Sequence, residues 1–175
     1  MQAWNVIELR GLILHIAVSE RGLSRLSFGP LAAQGARGRG SESETDPANP
    51  LIRQVSDQLA EYFDGERKEF ALPLDLGGTP FQMRVWEALQ TIPFGKTITY
   101  AELARRAGSP GAFRAAGAAN GKNPVAIIVP CHRVINTGGG LGGYGGGIDV
   151  KRRLLALEAS LAQQGLPFVH GQIDL

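Results

Sequence analysis

Only one cysteine, Cys131, occurs in 175 residues, so no internal disulfide can form and a cysteine-rich zinc site is excluded. That scarcity suits a reducing compartment. No apolar run approaches the ~20 residues that a membrane-spanning helix needs. The opening MQAWNVIELRGL lacks a basic segment followed by an apolar one. These absences point to a soluble, cytoplasmic protein without a membrane partner. What is present is apolar enough, at 43%, for one large core or two small ones.

Charge is divided unevenly. Residues 1–80 carry 8 basic and 11 acidic side chains, whereas residues 81–158 carry 10 basic and 4 acidic. The second half is therefore the candidate for a polyanionic partner, although ordinary surface charge explains the imbalance equally well.

In the first half, LILHIAVS (12–19) alternates Leu12, Leu14, Ile16 and Val18 on one face, and Gly22 to Phe28 follows as a neighbouring strand. Residues 34–50 are a polar Gly/Ser/Pro stretch, expected to be a loop. Asn49-Pro50 starts a helix, with Ile52, Val55, Leu59 and Tyr62/Phe63 as its buried stripe and Gly65 as its stop. EFALPLDL alternates Phe70, Leu72, Leu74 and Leu76 and predicts another strand. The result is a small strand-rich α+β domain over 1–76, with 77–80 as linker.

Helix caps punctuate the second half. Thr79-Pro-Phe-Gln82 and Thr99-Tyr-Ala-Glu102 are capping boxes, and Ser109-Pro110 opens a third helix that ends at Asn120-Gly121. Trp86 is read as core. The last two helices, joined by a glycine-containing turn, form a helix-turn-helix pattern. The second of them offers Phe113, Arg114 and otherwise only alanine and glycine up to Ala119. That is too bare for base readout, which needs several Arg, Lys, Asn or Gln side chains. Such a helix suits close approach to a backbone or shallow groove, or equally tight packing on a neighbour.

PVAIIVP (124–130) is read as a buried extended run that delivers Cys131 to a fixed point. A lone cysteine is most often a small core hydrophobe. His132 beside it offers the alternative of an activated thiol. In a strand the two would face opposite sides, so direct contact requires the strand to end at Pro130, or a water between them. In the last helix, with Leu154 at zero, Glu158 falls at about 40° and Lys151 at about 60°, both inside the apolar arc. A buried carboxylate needs a partner. Lys151 or an arginine would make a structural pair, whereas orienting His132 would complete a Cys–His–Glu relay. TGGGLGGYGGG (137–147) has eight glycines in 138–147 and fits no phosphate-binding spacing. It is either a plain loop or a means of bringing backbone around Tyr144 close to a planar ligand.

FQMRVWEALQTIPFGKTITYAELA, GAFRAAGAANGKNPVAIIVPCHRVI and LGGYGGGIDVKRRLLALE, in this order through residues 81–158, resemble the O6-alkylguanine-DNA alkyltransferases (methylated-DNA–protein-cysteine methyltransferases). The resemblance implies a mainly helical, winged-helix-like alkyltransferase domain over 81–175. It implies irreversible, single-turnover transfer of a methyl or larger alkyl group from O6-alkylguanine to Cys131 after nucleotide flipping. The partner would be duplex DNA, bound by a monomer through the minor groove. No cofactor is implied.

Residue by residue, the resemblance gives His132 and Glu158 the activation of the thiol. Tyr100 turns the nucleotide out and protonates guanine, and Asn123 links the helix-turn-helix to the active-site strand. Arg114 fills the gap in the duplex, with Tyr100, Ala115, Gly117, Ala119, Asn120 and Lys122 along the same DNA face. Tyr144, Gly145 and Gly146 wall the guanine pocket, where backbone groups of Val129 and Cys131 read the base. Some relatives bind a structural zinc; with only Cys131, His15, His132 and His170 available, none is expected here. Gly145 stands where some relatives carry a hydroxyl, which leaves the contact to the guanine oxygen open. Two other readings remain: a lesion sensor that flips guanine without repairing it, which Cys131 opposes, and a Cys–His–Glu hydrolase, which the basic helix-turn-helix opposes.

Overall fold

The computed structural model describes residues 2–29 and 43–164; most of the polar stretch expected as a loop, and His170 with the chain end, lie outside the described residues. Strands β1 (Gln2–Leu9), β2 (Leu12–Ser19), β3 (Gly22–Phe28) and β4 (Ser43–Thr45) form one sheet in the order β3-β2-β1-β4. The β1–β2 turn places both Arg10 and Gly11 at positive φ, 52° and 74°, as a two-residue hairpin with right-handed strand twist requires. β4 pairs parallel to β1, so residues 43–45 form a strand rather than part of a loop. β1 itself has no counterpart among the sequence expectations.

Helix α1 (Pro50–Asp64) begins and ends as expected: Asn49 accepts from the amides of Leu51 and Ile52, and Gly65 stops it at φ 84°. Ile52, Val55, Leu59 and Tyr62 are buried, and with Leu14, Ile16 and Val18 of β2 they belong to one hydrophobic core. Residues 70–76 do not form the expected strand. Their alternation is real, but only Leu74 bridges to Leu23, through Leu23 N–H to Pro73 O (2.8 Å) and Asp75 N–H to Leu23 O (2.9 Å). Pro73 lacks an N–H and cannot extend a ladder.

The second half contains α2 (Pro80–Gln90), β5 (Ile98–Thr99), α3 (Tyr100–Arg106), α4 (Phe113–Gly121), β6 (Val134–Ile135) and α5 (Ile148–Gln164). The capping box at Thr79 is complete. At α3 only half of it forms: Thr99 accepts from Glu102 N–H, but the Glu102 carboxylate instead takes Arg105 and Arg106. α4 starts at Phe113, later than Ser109-Pro110 suggests, and has no side-chain cap. Trp86 is core, 2% exposed, and its indole N–H donates to Ala119 O. The fold is α+β.

Candidate active site

The run 124–130 is not extended. Leu26 N–H donates to Pro124 O and Ala126 N–H to Leu26 O, both at 2.9 Å, so the outer edge of β3 pins the start of the run. The chain then doubles back. Ile128 N–H reaches Ala126 O around Ile127, whose φ of 68° is unusual for a β-branched residue. Cys131 N–H reaches Val129 O (2.8 Å) around Pro130, at φ −82° and ψ 61°, an inverse γ-turn. Cys131–Arg133 is a single 3₁₀ turn. Apolar composition suggested a strand, but prolines at both ends withhold donors and tight turns take over. The opposite-face constraint on Cys131 and His132 therefore does not arise.

Asn123 braces this turn at both ends: its Nδ2 donates to Val129 O (2.7 Å) and its Oδ1 accepts from Val125 N–H (3.0 Å). Val129 is a correction. Its carbonyl already accepts from Asn123 and Cys131 N–H, and its side chain is fully buried, so it presents no backbone group to a ligand.

Cys131 lies in the wall of a cavity of about 710 Å³. Tyr100, Arg114, Gly117, Asn120, Asn123, Tyr144, Gly145 and Gly146 line it, as do Leu26 and Phe28 from β3. Exposed Arg114 stacks on the half-exposed Phe113 ring, 5.8 Å from its centroid. Ala115 on the same helix and Lys122 just past its end are exposed but lie outside the cavity wall. Ala119 is a second correction: at 4% exposure it packs in the core beneath α4 and presents no side chain to a partner. Asn120 is equally buried and points inward, its Nδ2 toward Cys131 O at 3.4 Å.

Glycines set the shape of the wall. Gly142 sits at φ 68°, and a Cβ there would come within 2.8 Å of the Tyr100 hydroxyl. A Cβ on Gly146 would strike the Phe28 ring at 2.5 Å. The glycine-rich segment is thus a closely packed wall against Tyr100 and Phe28, with Tyr144 tilted 5.9 Å from Phe28.

His132, next to Cys131 in the chain, belongs to a buried hydrogen-bond network centred on Glu158. Glu158, 1% exposed, accepts His132 Nε2 (2.8 Å), the Tyr62 hydroxyl (2.8 Å), Gly95 N–H (3.0 Å) and two nitrogens of Arg133 (both 2.9 Å). Burial alone would raise its pKa, but His132 and Arg133 outweigh that and hold it at about 2. Burial pushes the fully buried His132 below its ordinary value, helped by Arg133 and Lys151 and opposed by Glu158. A neutral imidazole facing a carboxylate must donate, so Nε2 carries the proton and Nδ1 has a free lone pair. Nδ1 is buried without a protein hydrogen-bond partner.

Burial also raises the Cys131 thiol, against Asn123, Lys151 and Tyr144, so it rests protonated at neutral pH. The Tyr144 hydroxyl neighbours the thiol but makes no hydrogen bond of ordinary geometry. Lys151 is fully buried and does not pair with Glu158. Its Nζ donates to Val134 O (2.6 Å) and to Leu141 O, tying the glycine-rich loop to β6, and lies 6.0 Å from the Tyr100 ring centroid.

Sequence reasoning thus brought Cys131, His132, Glu158, Tyr100, Asn123, Arg114 and Tyr144 to one place; in the structure Cys131, Tyr100, Asn123, Arg114 and Tyr144 line one cavity, and His132, next in the chain to Cys131, is bonded to Glu158. It missed Arg133, Lys151 in its actual role, Gly95 and Tyr62. Lys151 had a signal in its helical-wheel position; Tyr62 and Gly95 had none.

Known proteins match along both halves. Residues 13–76 match the family domain described as 6-O-methylguanine DNA methyltransferase, ribonuclease-like domain, and residues 80–160 match its DNA binding domain. The methylated-DNA–protein-cysteine methyltransferase of Mycobacterium tuberculosis is 62% identical over 110 residues, 63% of this chain and 67% of its own length. That of Methanosarcina barkeri is 43% identical over 143 residues, 82% of this chain and 88% of its own. The crystal structure of M. tuberculosis O6-methylguanine methyltransferase is similar at TM-score 0.82 and 47% identity, covering 91% of this chain and 94% of that one. M. tuberculosis OGT in complex with DNA matches at TM-score 0.81, with the same identity and coverage. With both domains matched in order and a similar fold over nine-tenths of its length, the chain belongs to the methylated-DNA–protein-cysteine methyltransferase family.

Proposed function

We propose that this protein takes a methyl or larger alkyl group from O6-alkylguanine in duplex DNA onto Cys131, once per molecule, after the nucleotide has left the base stack. Its general activity is that of its family: it is a DNA repair methyltransferase, and DNA is its partner. The observation that supports the finer reading is one cavity in which the thiol, Tyr100 and Arg114 meet, with the next residue after the thiol, a neutral histidine, held by an ionised carboxylate.

An alkyl carbon on O6 cannot be reached inside a duplex, and extrusion of the nucleotide costs a few kcal/mol, least for a poorly paired lesion. Arg114, exposed at the start of α4 and at the cavity wall, occupies the vacated space. The bareness of α4 suits a minor-groove approach made through backbone contacts rather than base readout. The thiol gives its proton to His132 Nδ1 through a water, and the resulting imidazolium is stabilised by Glu158. Sulfur attacks the alkyl carbon, the S–C bond forms and the C–O6 bond breaks. The electron pair stays on guanine, which takes a proton from Tyr100. Burial keeps that phenol protonated beforehand, and the Lys151 ammonium beside its ring favours the phenolate that forms. The proton taken by His132 balances the one given to guanine. A thioether offers no hydrolysis route, so the protein is spent after one transfer.

Cys131→Ala, mixed with duplex DNA carrying O6-methylguanine, should bind as the wild type does and leave the lesion intact. Removal of the methyl group by that variant would overturn the assignment. A wild type that binds the lesion and never repairs it would indicate a sensor.

A further inference from the structure

Glu158 receives hydrogen bonds from three separate parts of the chain. His132 and Arg133 come from the turn that carries Cys131, and Gly95 from the loop after α2. The third part is α1, whose Tyr62 lies 96 residues away in sequence and inside the segment that matches the ribonuclease-like domain. Its ring is fully buried, with Phe63, Phe70 and Phe94 at centroid distances of 5.3, 5.5 and 6.0 Å. The Arg133 guanidinium lies 5.7 Å from the same Phe94 ring. The phenol is therefore clamped on all sides, and its hydroxyl is aimed at Oε1, the oxygen that His132 uses.

We infer that Tyr62 is a positioning residue of the acceptor site: α1 delivers a hydroxyl that fixes Oε1 of Glu158, and so holds the His132 imidazole in the one orientation from which Nδ1 takes the thiol proton. This rests on the reading above in which His132 serves as base. A carboxylate held by Arg133 alone can swing so that either oxygen meets the imidazole. With Tyr62 on Oε1 and Gly95 N–H on Oε2, the two oxygens are distinguished and the carboxylate plane is set. The amino-terminal segment then contributes directly to the chemistry, besides pinning residues 124–126 through β3.

The titratable and charged groups that act on His132 and Glu158 are Tyr62 from α1, Arg133 from the 3₁₀ turn, Lys151 from α5, and Tyr144 at the cavity. Tyr62→Phe removes one oxygen from this set and keeps the ring contacts. A hydrogen bond to an ionised group is worth a factor of about ten or more, so methyl transfer should slow about tenfold while lesion binding stays unchanged. Nitrogen-15 NMR of the imidazole supplies a readout that a packing role would not move. Wild-type His132 should show bare Nδ1 and one sharp, hydrogen-bonded Nε2 proton; in Tyr62→Phe Nε2 should stay protonated, but its signal should shift and broaden as the carboxylate samples both oxygens. Val55→Ala, a buried truncation on the same helix, should lower stability and leave the imidazole pattern as in the wild type.

An unshifted Nε2 proton signal, or a wild-type transfer rate per folded Tyr62→Phe molecule, would overturn the inference. So would a wild-type spectrum in which the Tyr62 hydroxyl proton is absent or shows no contact to the His132 Nε2 proton, a measurement that needs no variant to fold. The NMR readout needs no DNA. A wild type that transfers nothing therefore sinks the functional reading alone, and an unshifted imidazole signal sinks the role of Tyr62 alone.

Discussion

Glu158→Gln keeps the shape of the side chain and removes its charge from a site that is 1% exposed. Moving a carboxyl from its ordinary 4.5 to about 2 on folding corresponds to about 3 kcal/mol of stability at neutral pH, at ~1.4 kcal/mol per pH unit. The sign is fixed by the depression: the contribution is present above pH ~4.5 and is lost as pH falls toward ~2. Arg133, 8% exposed and bonded to both carboxylate oxygens, would be left buried without its anion, and breaking such a pair costs about 3–5 kcal/mol. The variant should therefore be less stable by about 3 kcal/mol or more at pH 7, a large share of the 5–15 kcal/mol typical of a folded domain. Urea unfolding of both proteins from pH 7 down to about 3.5 measures this, and the gap between them should narrow as the wild type loses its contribution. A loss under about 1 kcal/mol at pH 7, or a gap that does not change with pH, would refute the electrostatic reasoning.

Three other outcomes follow from local geometry. Gly142→Ala places a Cβ at positive φ against the Tyr100 hydroxyl, so it should lose about 1–2 kcal/mol in thermal or urea unfolding and slow methyl transfer more than lesion binding. Asn123→Ala orphans the Val125 amide and one bond to the Val129 carbonyl; a loss of about 1–3 kcal/mol is expected, with faster amide exchange confined to residues 124–131. Arg114→Ala removes an exposed side chain with no partner in the core, so stability should stay within about 0.5 kcal/mol while flipping, followed by a fluorescent base beside the lesion, slows.

Local signals carried well where local chemistry decides the outcome. Asn49-Pro50 and Gly65 bounded α1 because caps satisfy orphan backbone groups within a few residues. The buried position of Glu158 followed from helix geometry alone. The misses share a different cause. β4 exists because three polar residues pair with β1, more than forty residues earlier, a contact that no local pattern announces. PVAIIVP has strand-like composition, but the ladder it would need is replaced by two bonds to Leu26 and by turns around Ile127 and Pro130. Lys151 was visible as a misplaced cation, yet its partners are carbonyls of β6 and the glycine-rich loop rather than the Glu158 carboxylate two helical turns away. Ala119 was placed on the DNA face through the family resemblance, whereas at 4% exposure it packs in the core, with its backbone carbonyl taking the Trp86 indole N–H.

Intact-protein and peptide mass spectrometry, after mixing with duplex DNA that carries one O6-methylguanine, tests most directly whether Cys131 takes the alkyl group and does so once. One methyl added to the Cys131 peptide is expected, in amounts equal to the DNA repaired and never less than it. Repair that exceeds the methylated protein, or a methyl group found on any other residue, would contradict a one-shot transfer to this thiol.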